Sequence, residues 1–254
     1  MGDPRHEQYC DAVESGVARF IEIVGGADPA LPVPTCPGWT LADLTKHHGT
    51  THRWMDHLVS TRATERVWSR DVPLDLPDDP SEYPGWLAAS AASSLRTLRA
   101  ADPDASNWTH GVDQHVRFFP RRLLFEAVVH IADAELAVGL EPGPVDAATA
   151  ADGIDEFLEN LTCYSHIEER VRELGRDGDT LHLHAADGDG EWLIGLGDGG
   201  FTWRHGHGKG EVAVQATAAD LLLLTYGRIR PDDDRLTVFG DRELLEAWLA
   251  ATAL

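Results

Sequence analysis

The sequence predicts a multi-domain α and α+β protein, in which a helical bundle precedes a small α/β domain of sheet plus helices. Apolar residues recur at helical spacing over most of the first 174 residues. After Gly175 short runs of alternating character appear, and Gly and Asp turns separate them, as is typical of strands and hairpins. The 254 residues are enough for two cores. We therefore predict a helical domain over residues 1–175 and an α+β domain over residues 176–254.

Local signals define the predicted elements. Thr40 follows a proline-rich loop and is a good N-cap for a helix that runs to about residue 60. Gly25 and Gly26 end the helix before it, and Gly139 ends the helix that follows Pro120. The predicted helices cover about residues 6–24, 40–60, 85–101, 120–138, 147–174, 218–227 and 241–252, and the predicted strands lie around residues 181–184, 191–194, 201–203, 212–214 and 236–239.

Composition excludes several classes of function. The net charge is −22, and such an acidic chain repels phosphate backbones, so we expect no nucleic-acid partner. No apolar run approaches the roughly 20 residues of a membrane helix, and the N-terminus does not resemble a signal peptide. We expect a cytoplasmic protein with no membrane partner. The three cysteines are widely separated and predict neither a disulfide framework nor a CxxC zinc site.

The helix after Pro120 carries the clearest chemical signal. Glu126 and His130 are four residues apart, so both project from one face of an otherwise apolar helix. A carboxylate and an imidazole that face a bundle interior are costly to bury unless they are paired or bind a metal. Asp133 lies one turn further on and could orient His130. The alternative interpretation is an ordinary polar pair on a solvated or interhelical face.

Histidines on the second predicted helix offer a third ligand. There are four of them: His47, His48, His52 and His57. His48 and His52 have the spacing of a simple helical metal pair. His47 shares a stripe with Leu44 and Leu58 that more plausibly faces the core. Periodicity alone leaves His47, His48 and His52 open as ligands, and a histidine on an apolar stripe is also compatible with a purely structural role.

Three segments resemble the mycothiol-dependent maleylpyruvate isomerase family of bacteria. Residues 33–47, VPTCPGWTLADLTKH, are similar to its N-terminal signature, and residues 125–134, FEAVVHIADA, are similar to its second motif. The stretch from LHLH at 181–184, through HGHGK at 205–209, to VFGD at 238–241 resembles its C-terminal domain. The resemblance covers nearly the whole chain. It implies a DinB-like four-helix bundle followed by the family's C-terminal domain.

The resemblance also implies a site and a cofactor. It places a divalent metal, zinc above all, on His47, Glu126 and His130, although His48 departs from the apolar residue usual in the family. Three protein ligands leave coordination positions open, which is the arrangement of a catalytic site. In the family this site is thought to bind the sulfur of mycothiol, because a metal favours a thiolate at neutral pH.

The function that the resemblance implies is isomerisation or S-conjugation of a small electrophilic substrate by a metal-dependent, mycothiol-using enzyme. Arg228 is the candidate for an arginine that the C-terminal domain lends to the site. The alternative is a non-catalytic metal-containing protein that binds or senses a small molecule. Two further motifs receive structural interpretations. Residues 195–200 fit G-x-G-x-x-G but join two strands. His205 and His207 could bind a metal, but their glycine-rich segment is typical of a solvated turn.

Overall fold

The chain folds into two compact units, one ending at Gly143 and the other beginning at Pro144. The structure, a computed structural model, describes residues 4–253. Its helices are α1 (Pro4–Val24), α2 (Leu41–Ser60), α3 (Tyr83–Ala100), α4 (Phe118–Ala137), α5 (Ala147–Leu161), α6 (Ser165–Glu173), α7 (Ala218–Thr225) and α8 (Arg242–Ala251). Its strands are β1 (Thr180–Ala185), β2 (Glu191–Gly197), β3 (Gly200–His205), β4 (Val212–Ala216) and β5 (Thr237–Gly240). The predicted order of a helical bundle followed by a sheet domain is confirmed.

The first unit is a four-helix bundle. Helix α1 packs against α3 and α4, and α2 packs against the same two helices. Large apolar side chains fill the centre, among them Phe20, Met55, Leu87, Phe119 and Phe125. Within residues 4–253, no helix combines the length and the apolar character needed to cross a bilayer.

Two local features set the position of α2. The predicted N-cap Thr40 is confirmed, and it forms a capping box in which its side chain accepts from the Asp43 N–H while Asp43 accepts from the Thr40 N–H. Gly49 lets α2 approach α3 closely, since a Cβ there would lie 2.1 Å from Cζ3 of Trp86. These features fix both the start of α2 and its separation from α3.

The second unit contains a five-stranded mixed sheet in the order β3-β2-β1-β4-β5. Strands β1 and β4 are parallel, and the other neighbouring pairs are antiparallel. Helices α6, α7 and α8 contact the sheet, and α5 packs against α7. The division of the chain therefore differs from the boundary predicted near residue 175. The sequence changes texture there, but α5 and α6 pack with the sheet unit, and a break at residues 162–164 divides the single helix predicted over 147–174.

The two faces of the sheet differ in character. Leu183 and Trp192 are cross-strand partners on one face, and the Trp192 indole donates to Asp155 of α5, so this face packs against helices. Side chains alternate along a strand, and His182, His184 and Glu191 therefore lie on the opposite face. The sheet has one apolar face and one that carries polar, metal-ligating residue types.

Candidate metal centre

Helices α2 and α4 bring His47, Glu126 and His130 together. Oε2 of Glu126 lies 3.1 Å from Nε2 of His130 and 3.5 Å from Nε2 of His47. The candidate ligand atoms of the three residues all lie within 4.8 Å of one another. Two ligands bound tetrahedrally to one zinc ion, each at about 2.1 Å, are about 3.4 Å apart. The spacing and the donor set, two imidazoles and a carboxylate, both fit a zinc-like divalent ion.

Arg122 fixes the orientation of Glu126 from one turn earlier on α4. Its Nη2 donates to Oε1 of Glu126 at 2.6 Å, which leaves Oε2 directed at the two histidines. Burial by itself raises the pKa of Glu126, but Arg122, His130 and His47 outweigh it and hold that pKa well below its usual range. The carboxylate is therefore ionised, as a metal ligand must be. Arg122 was not among the predicted site residues, although its i, i+4 spacing from Glu126 was an available signal.

A buried carboxylate orients His130 from the other side. Nδ1 of His130 lies 2.8 Å from Oδ2 of Asp133, which forms the contact anticipated from their spacing. Asp133 is fully buried, and it also accepts from the Thr35 hydroxyl at 2.5 Å and from the Cys36 thiol at 3.5 Å. With Nδ1 as the donor to Asp133, Nε2 of His130 keeps its lone pair for a metal. Thr35 and Cys36 were not predicted to contact α4, because that contact depends on the path of the proline-rich loop.

Opposing effects act on the pKa of His130. Burial lowers it, whereas the hydrogen bonds to Asp133 and Glu126 raise it, and the hydrogen bonds prevail. The same negative charges that favour an imidazolium would favour a bound cation.

His48 and His52 occupy the bundle core instead of this group. The His48 ring is fully buried between Phe20 and His52, with ring centroids 5.0 and 5.3 Å away. Neither ring nitrogen of His48 has a hydrogen-bond partner among residues 4–253, whereas Nδ1 of His52 lies 2.8 Å from the Ser94 hydroxyl. Burial lowers the pKa of His48 well below its usual range and that of His52 to about 4. Both rings are therefore neutral at pH 7.

An open cavity lies beside His47. It has a volume of about 490 Å³, and its lining residues are Gly38, Trp39, Asp43, Lys46, His47 and Thr50. The Trp39 ring lies 5.1 Å from the His47 ring. Gly38 has a positive φ of 85°, a conformation that glycine adopts readily and that turns the loop into α2. The proline-rich loop thus supplies one wall of a cavity that reaches a candidate metal ligand.

Arg228 lies in the second unit, just after α7. Its side chain is partly buried, and Nη1 donates to the carbonyl oxygen of Tyr226 at 2.6 Å. The role suggested for Arg228 at the metal centre stays a prediction.

Comparison with known proteins places the chain in a class of two-domain proteins that have an N-terminal domain and a separately described C-terminal domain. Residues 10–135 match the family model described as the mycothiol maleylpyruvate isomerase N-terminal domain, and residues 148–247 match that of the MDMPI C-terminal domain. The chain belongs to the mycothiol-dependent maleylpyruvate isomerase family.

Solved structures show the same fold. A crystal structure of the mycothiol-dependent maleylpyruvate isomerase is similar with a TM-score of 0.55 and 17% identity, and 92% of each chain is covered. A histidine-to-alanine mutant of that enzyme is similar with a TM-score of 0.56 and 16% identity, again over 92% of each chain. The search against curated proteins gave no match.

Proposed function

We propose that the protein is a metal-dependent enzyme that uses mycothiol as its thiol cofactor to isomerise or S-conjugate a small electrophilic substrate. The observation that carries the proposal is the convergence of His47, Glu126 and His130 in the bundle of a chain that belongs to this family. These three residues would hold a divalent ion, zinc above all. When bound, such an ion lowers the pKa of a thiol and favours its thiolate at neutral pH.

The chain's own residues prepare this site. Asp133 holds His130 in one ring orientation, and Arg122 holds Glu126 so that one carboxylate oxygen stays directed at both histidines. His130 and Glu126 are largely shielded from water, whereas the His47 side chain is 38% exposed. The site is therefore rigid on the α4 side and accessible on the α2 side, where the cavity lies.

The cavity beside His47 suits a small organic ligand. Its volume of about 490 Å³ lies in the range of ordinary ligand pockets, roughly 300 to 1,000 Å³. Its lining combines the aromatic ring of Trp39 with the charged groups of Asp43 and Lys46, which provides both an apolar wall and polar contacts. This lining supports binding of a polar thiol or of a carboxylate substrate close to the metal ligands.

Thiol chemistry gives the two candidate reactions. Addition of a thiol to an activated double bond leaves a single bond that can rotate; later loss of the thiol gives an isomer, whereas retention gives an S-conjugate. The names of the solved relatives favour isomerisation, with maleylpyruvate as the first substrate to test. In this scheme we assign Arg228 to binding a substrate carboxylate.

The test is a turnover assay with maleylpyruvate and mycothiol, using zinc-loaded wild type, His47→Ala and His57→Ala. His57 is a matched control because it lies on α2 outside the candidate ligand group. We expect mycothiol-dependent turnover in the wild type and in His57→Ala, and none above background in His47→Ala. Turnover that survives both chelation and His47→Ala would exclude the proposed centre. Metal binding without turnover of any electrophile would indicate the non-catalytic binding or regulatory protein instead.

A further inference from the structure

A second group of metal-ligating side chains lies in the sheet unit. Strand β1 places His182 and His184 on one face, and Glu191 of β2 is the cross-strand partner of His184. His207 follows β3 in the glycine-rich segment. Candidate ligand atoms of His182, Glu191 and His207 all lie within 4.8 Å of one another. The same limit is met by His47, Glu126 and His130, which we call the bundle group.

A buried nitrogen of His182 is a second, independent observation that points to a ligand at this group. His182 is buried, with only 5% of the residue exposed. Nε2 of His182 is buried and has no hydrogen-bond partner among residues 4–253. A buried polar nitrogen normally has a partner, and one without a partner costs about 1–3 kcal/mol.

Glycines bring His207 to the sheet. Gly206 has a φ of 122°, and a Cβ at Gly208 would lie 2.9 Å from Cδ2 of Leu193. The segment therefore passes close to β2 at Leu193, and its histidines stay exposed, as the sequence interpretation of a solvated turn predicts. Nδ1 of His207 lies 3.2 Å from Oε1 of Glu191, and its ring meets the His182 ring edge-on at a centroid distance of 5.2 Å.

We propose that His182, Glu191 and His207 form a second binding site for a divalent transition-metal ion, with zinc as the best fit. Two imidazoles and one carboxylate are typical zinc ligands, and the separation of Glu191 and His207 is close to the roughly 3.4 Å expected for two ligands of one tetrahedral ion. His184 acts as a positioning residue, because its Nδ1 lies 2.7 Å from Oε1 of Glu191.

The surroundings leave room to complete the coordination. A cavity of about 240 Å³ adjoins the group, and its lining includes His182, His184, His207, Gln215 and Phe239. Water or a small anion can therefore reach the open positions that three protein ligands leave. A bound ion would connect the glycine-rich segment to β1 and β2, and His207, whose side chain is 81% exposed, would become ordered.

The test uses the full chain after removal of all metal. The background carries His47→Ala and Glu126→Gln, which remove two of the three candidate ligands of the bundle group. Calorimetric titration with zinc measures affinity, and titration with cobalt reports tetrahedral coordination through its visible absorption bands. We expect about one zinc per chain with a dissociation constant below about 1 µM. His207→Ala in the same background should weaken binding by more than 100-fold.

His205→Ala is the matched control. His205 lies two residues before His207, is also exposed, and pairs with Asp155 on the helix-covered side of the sheet. We expect its zinc affinity to stay within about threefold of the background protein. Unchanged circular dichroism of metal-free His207→Ala would show that the fold survives this exposed substitution. Absence of stoichiometric zinc in the background protein, or equal losses in His205→Ala and His207→Ala, would overturn the proposal. Because the bundle group is silenced throughout, neither result depends on the proposed function.

Discussion

The two units each gather two imidazoles and a carboxylate, but they support them differently. In the bundle, Glu126 and His130 come from one helix, and buried Asp133 together with Arg122 holds them in place. In the sheet unit, the ligands come from two strands and a glycine-rich segment, and the least restrained of them is the exposed His207. The donor atoms on α4 are therefore held in place by packed helices. Those of the sheet unit depend on the position of the glycine-rich segment that carries His207.

This difference predicts different affinities. Ligands that are held in place before the metal arrives lose little conformational entropy on binding, whereas an exposed side chain must be ordered at that moment. We therefore expect the bundle site to bind zinc more tightly than the sheet site.

Loss of a direct ligand should have the largest effect. In a His207→Ala background, which leaves only the bundle site, His47→Ala should lower zinc affinity by more than the roughly 100-fold that changes in supporting residues cause. Competition with a chromophoric chelator measures the affinity. His48→Leu should leave it within a fewfold of the background protein, because the His48 ring points into the apolar core beside Phe20.

The same pair of variants decides which histidine is the ligand. If His48→Leu released the metal and His47→Ala retained it, the assignment of His47 would be wrong. The variants also separate core packing from metal binding, since His48 is fully buried whereas the His47 side chain is 38% exposed.

Helical spacing makes part of the candidate metal centre visible in the sequence. Glu126 and His130 are four residues apart, so any α-helix brings them onto one face. The choice of His47 needed more than periodicity: the rotation of α2 against α4 decides which histidine meets Glu126, and that rotation depends on close packing at positions such as Gly49. Resemblance to the family supplied the choice before the structure was known.

The sheet group could not be predicted in the same way. His182 and Glu191 meet through the antiparallel register of β1 and β2, and the sequence does not fix that register locally. His207 reaches them because Gly206 and Gly208 let the segment fold back over β2. The boundary near residue 175 failed to match the structure for a related reason, since the packing of α5 and α6 against the sheet unit is a tertiary contact that helical periodicity does not show.

Acid should destabilise the bundle through its buried neutral histidines. His52 has a pKa of about 4 in the folded protein but about 6.5 in an unfolded chain, so unfolding takes up a proton between these values. The free energy of unfolding therefore falls as the pH drops, and for His52 alone the loss between pH 7 and pH 4.5 is about 2 kcal/mol.

Urea unfolding of metal-free protein at pH 7 and pH 4.5 measures this effect. His52→Asn removes the titrating ring but keeps an amide that can bond to Ser94, so its loss of stability on acidification should be smaller than that of the wild type by about 2 kcal/mol. Equal losses in the two proteins would show that His52 is accessible to protons in the folded state, and the account of the bundle core would need revision.

Loss of a supporting carboxylate should have a smaller effect on the bundle site. Asp133→Asn keeps the size of the side chain but removes the charge that orients His130, and supporting contacts of this kind contribute about 10- to 100-fold to metal affinity. The zinc affinity of the bundle site should fall by that factor, whereas the sheet site should be unchanged. A loss below threefold would mean that α4 alone orients His130.

The corresponding change in the sheet unit should have the smallest effect. His184 contacts the candidate ligand Glu191 as Asp133 contacts the candidate ligand His130. The His184 side chain is 36% exposed and that of Glu191 is 21% exposed, so water can replace the contact between them. Solvent-exposed ion pairs contribute about 0.2–1 kcal/mol, which corresponds to a change in affinity of less than about sixfold. In the background that lacks the bundle site, His184→Asn should lower zinc affinity by no more than this factor. A loss as large as that of Asp133→Asn would mean that His184 binds the metal directly and that the sheet site has four protein ligands, which would make it a closed structural site.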